Sequence, residues 1–138
     1  MSIYVETKIV EGLIAHFDGV TLPPDISVAY PNTDFIQDGS PFIRLSIEKN
    51  DPQTWHLGGG REPIRRGLFM AVVCWPVGQG IIDPSEVAGA IRDRFAYNTV
   101  INYDGIRILI TEEPRVAGDI QEDVYVEIPV IIAWVVMP

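Results

Sequence analysis

The sequence predicts an α+β domain: one mixed, mostly antiparallel β-sheet packed against two helices, with a long loop or extended hairpin at residues 49–63. Three observations predict it. An apolar stripe at helical spacing runs from Val5 to Phe17. A helix-start signature stands at Asp83-Pro84-Ser85-Glu86. Segments 41–48, 65–75 and 122–136 carry the two-residue period of strands, with apolar residues on one face or both. Helix, strands, helix, strands is an order that one sheet with helices packed on it satisfies economically.

In the first helix, Val5, Ile9, Leu13 and Phe17 recur with Val10 and Ile14 beside them, while Lys8 and Glu11 fall off the stripe. Ser2 is the candidate cap. Gly12 costs about 1 kcal/mol in a helix interior, so it is either tolerated or permits close packing. Asp18-Gly19 ends the segment and Pro23-Pro24 prevents continuation. A short strand at 26–29 precedes Tyr30-Pro31-Asn32. From Pro41 to Glu48, Ile43, Leu45 and Ile47 share one face, and Arg44, Ser46, Glu48 and Phe42 share the other.

Segment 49–63, KNDPQTWHLGGGREP, has no period and lies between strands. Loops longer than about 12–15 residues in compact domains are often functional or disordered. Strand 65–75 is the most apolar: Leu68, Met70, Val72 and Cys74 point one way, Phe69, Ala71, Val73 and Trp75 the other. Such a strand is central and covered twice, or one face is closed by another subunit.

At the second helix, Asp83 is expected at the cap, Pro84 at the first helical position and Glu86 at the third. Val87, Ala90, Ile91 and Phe95 form its expected buried face, and Gly89 would allow close approach to a sheet. Asn102-Tyr103-Asp104-Gly105 is a hairpin turn leading into a strand at 106–110. After the polar, turn-rich residues 112–121, the last strand aligns Val124, Val126, Ile128, Val130, Ile132 and Trp134 on one face. Glu127 makes the other face wet at its start, and Ile131 and Val135 make it apolar later. Pro129 cannot donate a ladder hydrogen bond, which puts an edge, bulge or sheet exit nearby.

The 138 residues fit a single domain, residues 1–138, and 47% hydrophobic content supports a true core. A formal charge of −9 repels phosphate backbones and disfavours tight nucleic-acid binding. The only local concentration of cations is Arg61, Arg65 and Arg66, read as a solvated flank or a subunit salt bridge. Cys74, the sole cysteine, excludes an intrachain disulfide and reads as a buried hydrophobe. No signal peptide or membrane span is expected.

Chemistry is poorly supported. His16 lies just off the apolar face at the end of the first helix, where the dipole favours its protonated form. His56 has no adjoining serine, cysteine or acid in an identifiable nucleophile arrangement, and an enzyme or ligand-binding domain using the His56 loop is the weak alternative. Two histidines and one cysteine supply no familiar zinc set, and the loop acids lack calcium-loop spacing, so neither metal nor cofactor is expected. Gly58-Gly59-Gly60 leads into a strand, not into a helix as a phosphate loop must. No catalytic residues are assigned.

Assembly accounts better for the two-faced strand, the apolar C-terminal strand and the loop bearing Trp55, Leu57 and Arg61. A monomeric core accounts for Trp75 and Trp134, but not for Trp55.

The order of Tyr30-Pro31-Asn32, Phe35, Pro41-Phe42-Ile43-Arg44-Leu45, Leu57-Gly58-Gly59-Gly60, Arg65-Arg66-Gly67-Leu68, Trp75-Pro76-Val77-Gly78-Gln79-Gly80 and Tyr125-Val126-Glu127-Ile128-Pro129-Val130 resembles the tail-terminator or tail-completion proteins of long-tailed bacteriophages and prophages. The resemblance covers nearly the whole chain. It implies a homo-oligomeric ring, usually a hexamer, that forms on the last ring of tail-tube protein, with a monomer in solution compatible with it. That ring stops tube growth and offers the head-tail connector a docking surface, and DNA passes through without specific binding. The resemblance also implies a place in the virion tail, assembled in the bacterial cytoplasm. Trp55, His56, Leu57 and Arg61 would contact a neighbouring subunit or the tube, and Arg65 and Arg66 would make intersubunit salt bridges. Head-completion and neck proteins share size, acidity and ring habit and are the nearest alternative.

Overall fold

The computed structural model describes residues 4–23, 26–35, 37–50 and 64–136. In chain order they form α1 (Val5–Phe17), β1 (Ser27–Ala29), β2 (Phe42–Lys49), β3 (Arg65–Pro76), α2 (Ile82–Arg94), β4 (Val100–Tyr103), β5 (Ile106–Ile110), β6 (Arg115–Val116), β7 (Ile120–Gln121) and β8 (Tyr125–Val136). The strands make one sheet in the order β1-β2-β3-β8-β5-β4, with β6 and β7 also paired to β8. Only β1 runs parallel to its neighbour; the other pairs are antiparallel. The predicted mixed, mostly antiparallel sheet with two helices is therefore the fold observed.

The centre of the sheet is the β3–β8 pair, in register from Arg65↔Val136 to Pro76↔Tyr125. The second edge of β8 is shared by three short strands: β5 meets residues 134–136, β6 residues 130–131 and β7 residues 126–127. Pro129 explains this division. Its carbonyl accepts a bond from the Ala117 N–H at 2.8 Å. N–H and C=O of one antiparallel residue point to the same neighbour. The missing N–H therefore faces the gap between β6 and β7. The strand is central, and the broken edge lies beside the proline.

Strand alternation sends Phe69, Ala71, Val73 and Trp75 of β3 to the helix face. Ile43 and Leu45 of β2 join them, as do Ile128, Val130, Ile132 and Trp134 of β8. Onto this layer α1 sets Ile9, Leu13 and Phe17, while Val87, Ala88 and Ile91 of α2 and the following Phe95 complete the cluster. The helix-face residue in α2 is Ala88 rather than Ala90, which is only half-buried. Phe69 joins the helices, with ring centroids 6.3 Å from Phe17 and 5.5 Å from Phe95.

The helix starts differ from the sequence expectation. Ser2 lies outside the described residues, and the residue capping α1 is Tyr4, whose side chain makes no capping bond. In α2 the cap is Ile81, so Asp83 and Pro84 fall within the first turn and no capping box forms. The cause is the preceding turn. Gly78 and Gly80 adopt φ of +91° and +79°, which deliver the chain so that the Ile81 carbonyl accepts the Ser85 N–H. Asp83 still places negative charge where the helix dipole favours it.

Two glycines show opposite outcomes. A Cβ on Gly12 would lie 3.0 Å from Ile108 Cδ1 and 3.1 Å from Tyr103 Cβ, so Gly12 does allow α1 to press on the β4–β5 hairpin. Gly89 has only the Arg92 guanidinium near it, at 3.9 Å, and makes no close approach to the sheet. The hairpin turn follows the sequence: Asp104 and Gly105 adopt φ of +47° and +86°, as a two-residue type I′ turn requires.

The C-terminal ends of the helices are clamped together. His16 Nε2 donates to the Arg94 carbonyl at 2.8 Å, and Arg94 Nε donates to the His16 carbonyl at 2.9 Å. Burial lowers the His16 pKa; its bond to the Arg94 carbonyl opposes this and the Arg94 charge reinforces it. The helix-end position therefore does not favour the charged form as the sequence implied. Because the folded pKa lies below the unfolded one, the unfolded chain binds more protons in the acid range. Stability from this group is full above the ordinary histidine range near 6.5 and is lost as pH falls through the folded value. A Tm series from pH 7.5 to 5 should show this slope, and His16→Gln should flatten it.

Candidate assembly surfaces

The face of the sheet away from the helices divides in two. At one end, Ala29, Phe42, Val72, Cys74 and Tyr125 form a second buried cluster, with Phe35 packed against it. Phe42 stacks between Phe35 and Tyr125, at 4.9 Å and 5.1 Å, and the Gly39 N–H donates to the Tyr125 hydroxyl at 3.0 Å. The segment after β1 thus covers this end. Beside it Arg44 reaches across to Glu127 at 3.3 Å, a partly exposed pair worth at most about 1 kcal/mol. Between them Cys74 is fully buried, and burial pushes its thiol up to about 11 against the opposing pull of Arg44. A neutral, enclosed thiol is a packing group, as its apolar strand implied.

At the other end the same face stays half-covered. Leu68 and Met70 of β3 alternate with the core residues and lie beside Ile131 and Ala133 of β8, and all four are only half-buried. Leu109 and Val100 extend the row onto β5 and β4. Among the described residues no helix packs on this face. The two-faced apolar character of β3 is thus real, but only one face is sealed along its whole length. The C-terminal strand exposes less than its composition implied: Trp134, Val135 and Val136 are all buried. Trp75 is likewise a core residue.

A second apolar region lies where β3 leaves the sheet. Val77, Ile81 and Ile82 are exposed, Ile82 at 75%, and the Val77 N–H donates to the carbonyl of exposed Val124 at 2.9 Å. The composition of this turn gave no signal, because a two-residue apolar run reads equally well as the start of a buried helix.

Of the predicted interface residues, Trp55, His56, Leu57 and Arg61 lie outside the described residues. Arg65 and Arg66 begin β3. Arg65 is half-buried, with its Nε 3.8 Å from Glu6 Oε1, and Arg66 is exposed. The two alternate along β3, and at this strand end both line a cavity of about 300 Å³ together with Glu6, Lys49 and Trp134.

A concavity of about 470 Å³ beside the start of α2 is lined by Asp83, Glu86, Thr21 and Trp75. Among the described residues no three of His, Cys, Asp and Glu gather as metal ligands would. No helix among them is long and apolar enough to cross a membrane.

Among the described residues the sheet carries both helices on one side and a half-covered apolar strip on the other. The model of the phage tail terminator protein family matches residues 8–134, and the chain belongs to that family. A solved structure of 19% sequence identity superposes with a TM-score of 0.75, covering 93% of this chain and 95% of the other, which shows a shared fold. No curated protein matches the chain.

Proposed function

We propose that this protein terminates the tail tube of a phage or prophage. Copies close into a six-membered ring on the last ring of tube protein; growth stops there, and the ring's far surface receives the head-tail connector. The action is geometric: one surface complements the tube and the other rejects a further tube ring. No bond is made or broken. DNA passes an interior that the surplus of nine negative charges keeps from binding it. Assembly takes place in the bacterial cytoplasm and the ring stays in the virion tail.

The carrying observation is the half-covered strip of Leu68, Met70, Ile131 and Ala133 on the sheet face opposite the helices. A lone chain leaves this apolar area partly wet, and a neighbouring subunit or the tube removes it from water at about 25 cal/mol per Å². The loop residues Trp55, His56, Leu57 and Arg61 are proposed to join the same contacts. Met70→Lys places a charge in the strip without touching the sealed core. The expected result is a folded variant, by circular dichroism, that no longer sediments with tube protein. Co-sedimentation equal to the unaltered chain contradicts a role for this face.

A further inference from the structure

Two apolar surfaces lie on opposite sides of the sheet. The first is the half-covered strip, where Leu68 and Met70 of β3 lie beside Ala133 and Ile131 of β8. Directly opposed residues of antiparallel strands share a face, so the register defines the rims of this strip. Ser46 and Glu48 of β2 oppose Met70 and Leu68 and form one rim. Arg115 of β6 opposes Ile131 and forms the other. The rims stand three strand spacings apart, about 14 Å. Glu48 and Arg115 are both exposed, and neither forms an ion pair among the described residues. The strip therefore carries a cation on its β6 side and an anion on its β2 side.

The second surface is the start of α2. Ile82 is 75% exposed, and Val77 and Ile81 before it are exposed as well. The turn between them stands clear: a Cβ on Gly78 or Gly80 would meet nothing within 4 Å. Residues four apart on a helix are surface neighbours, so Glu86 stands next to Ile82. Asp83 and Glu86 are exposed and form no ion pair among the described residues. The result is an apolar knob with an acidic flank. It cannot reach the strip of its own chain, because Val87, Ala88 and Ile91 hold α2 on the other side of the sheet.

We propose that Ile82 of one copy seats on the Leu68, Met70, Ile131 and Ala133 strip of the next copy, with Glu86 paired to Arg115. This deepens the ring reading and rests on it. Apolar area covers apolar area, and the acidic flank meets the one cation on the β6 rim. Glu48 on the β2 rim repels the reversed placement, so the charges also set the orientation. The two surfaces differ, which makes the contact head-to-tail, the kind that closes a ring when the rotation allows. Two knobs meeting across a two-fold axis would instead set Asp83 and Glu86 of both copies together.

The test uses the full chain with its tube protein, and ring formation is read by native mass spectrometry with circular dichroism as the folding control. Ile82→Lys changes a side chain that is mostly in water, so the fold should persist while ring formation weakens about tenfold or more. Glu86→Arg and Arg115→Glu should each weaken it, and both together in one chain should restore it. An equimolar mixture of the two single variants should restore it too, with the chains alternating around the ring. Rings from Ile82→Lys equal to those of the unaltered chain overturn the proposal. So do two single losses that neither the double variant nor the mixture repairs, which would assign the charges to different partners. A loss on Met70→Lys with none on Ile82→Lys gives the strip to another protein and overturns this contact alone. Failure of the unaltered chain to form any ring defeats the ring reading itself, and this contact with it.

Discussion

Phe69→Ala is expected to cost about 3–5 kcal/mol of folding stability. Phe69 is fully buried at the centre of β3 and meets the Phe17 ring of α1 and the Phe95 ring after α2. Among the described residues no other ring of the core touches aromatic groups from both helical segments and also sits in the sheet. Truncation removes the hydrophobic transfer energy and leaves a void that three elements would have to collapse together to fill. Domains of this size are stable by only about 5–15 kcal/mol. Urea unfolding should therefore show a much lower midpoint with an unchanged slope. Phe69→Leu, which keeps most of the volume, should cost about 1.5 kcal/mol or less. Equal losses in the two variants would mean that the aromatic contact, rather than the filled volume, carries the effect.

Gly67→Ala is the second large effect, and here two arguments give opposite signs. Glycine in a strand interior costs about 0.5–1 kcal/mol relative to alanine, so propensity alone predicts a gain. The surroundings predict a loss. A Cβ at Gly67 would collide with the Glu48 carbonyl oxygen on β2 and come within 2.9 Å of Trp134 Cζ2. The first obstacle is backbone held in the β2–β3 ladder, where Lys49 pairs with Gly67, so it cannot yield as a side-chain tip can. Overpacking of this kind costs typically about 1–3 kcal/mol, and collision with backbone puts this case at the upper end. A fall in Tm is expected. A rise would show that β2 can move aside and that the tight approach is incidental.

The sequence was most legible where a periodic pattern and a burial pattern coincide. Ile9, Leu13 and Phe17 stood at helical spacing and are buried. The alternation of β3 and β8 sorted their residues correctly between two faces, although in β3 it left open which of the two apolar faces meets the helices. Local turn chemistry was legible too, as Asp104-Gly105 shows. Capping was not. Asp83-Pro84-Ser85-Glu86 fits a helix start in isolation, but the Gly78 and Gly80 turn begins the helix earlier. The division of the outer face also escaped a one-dimensional reading. Whether Cys74 or Met70 is sealed depends on the segment carrying Phe35, which folds back over only one end of the sheet. The cation-lined cavity was half legible. Arg65 and Arg66 stood out as charges, but Glu6, Lys49 and Trp134 come from three other elements that only the fold brings to them.

The central claim is that this chain ends tube growth by capping. Its most direct test is the length of tubes polymerised from purified tail-tube protein, measured by electron microscopy with and without the chain in stoichiometric amounts. The account predicts tubes that halt at a bounded length with an extra density at one end, and continued elongation when the chain is omitted. Identical length distributions under both conditions, with no density at either end, would contradict it.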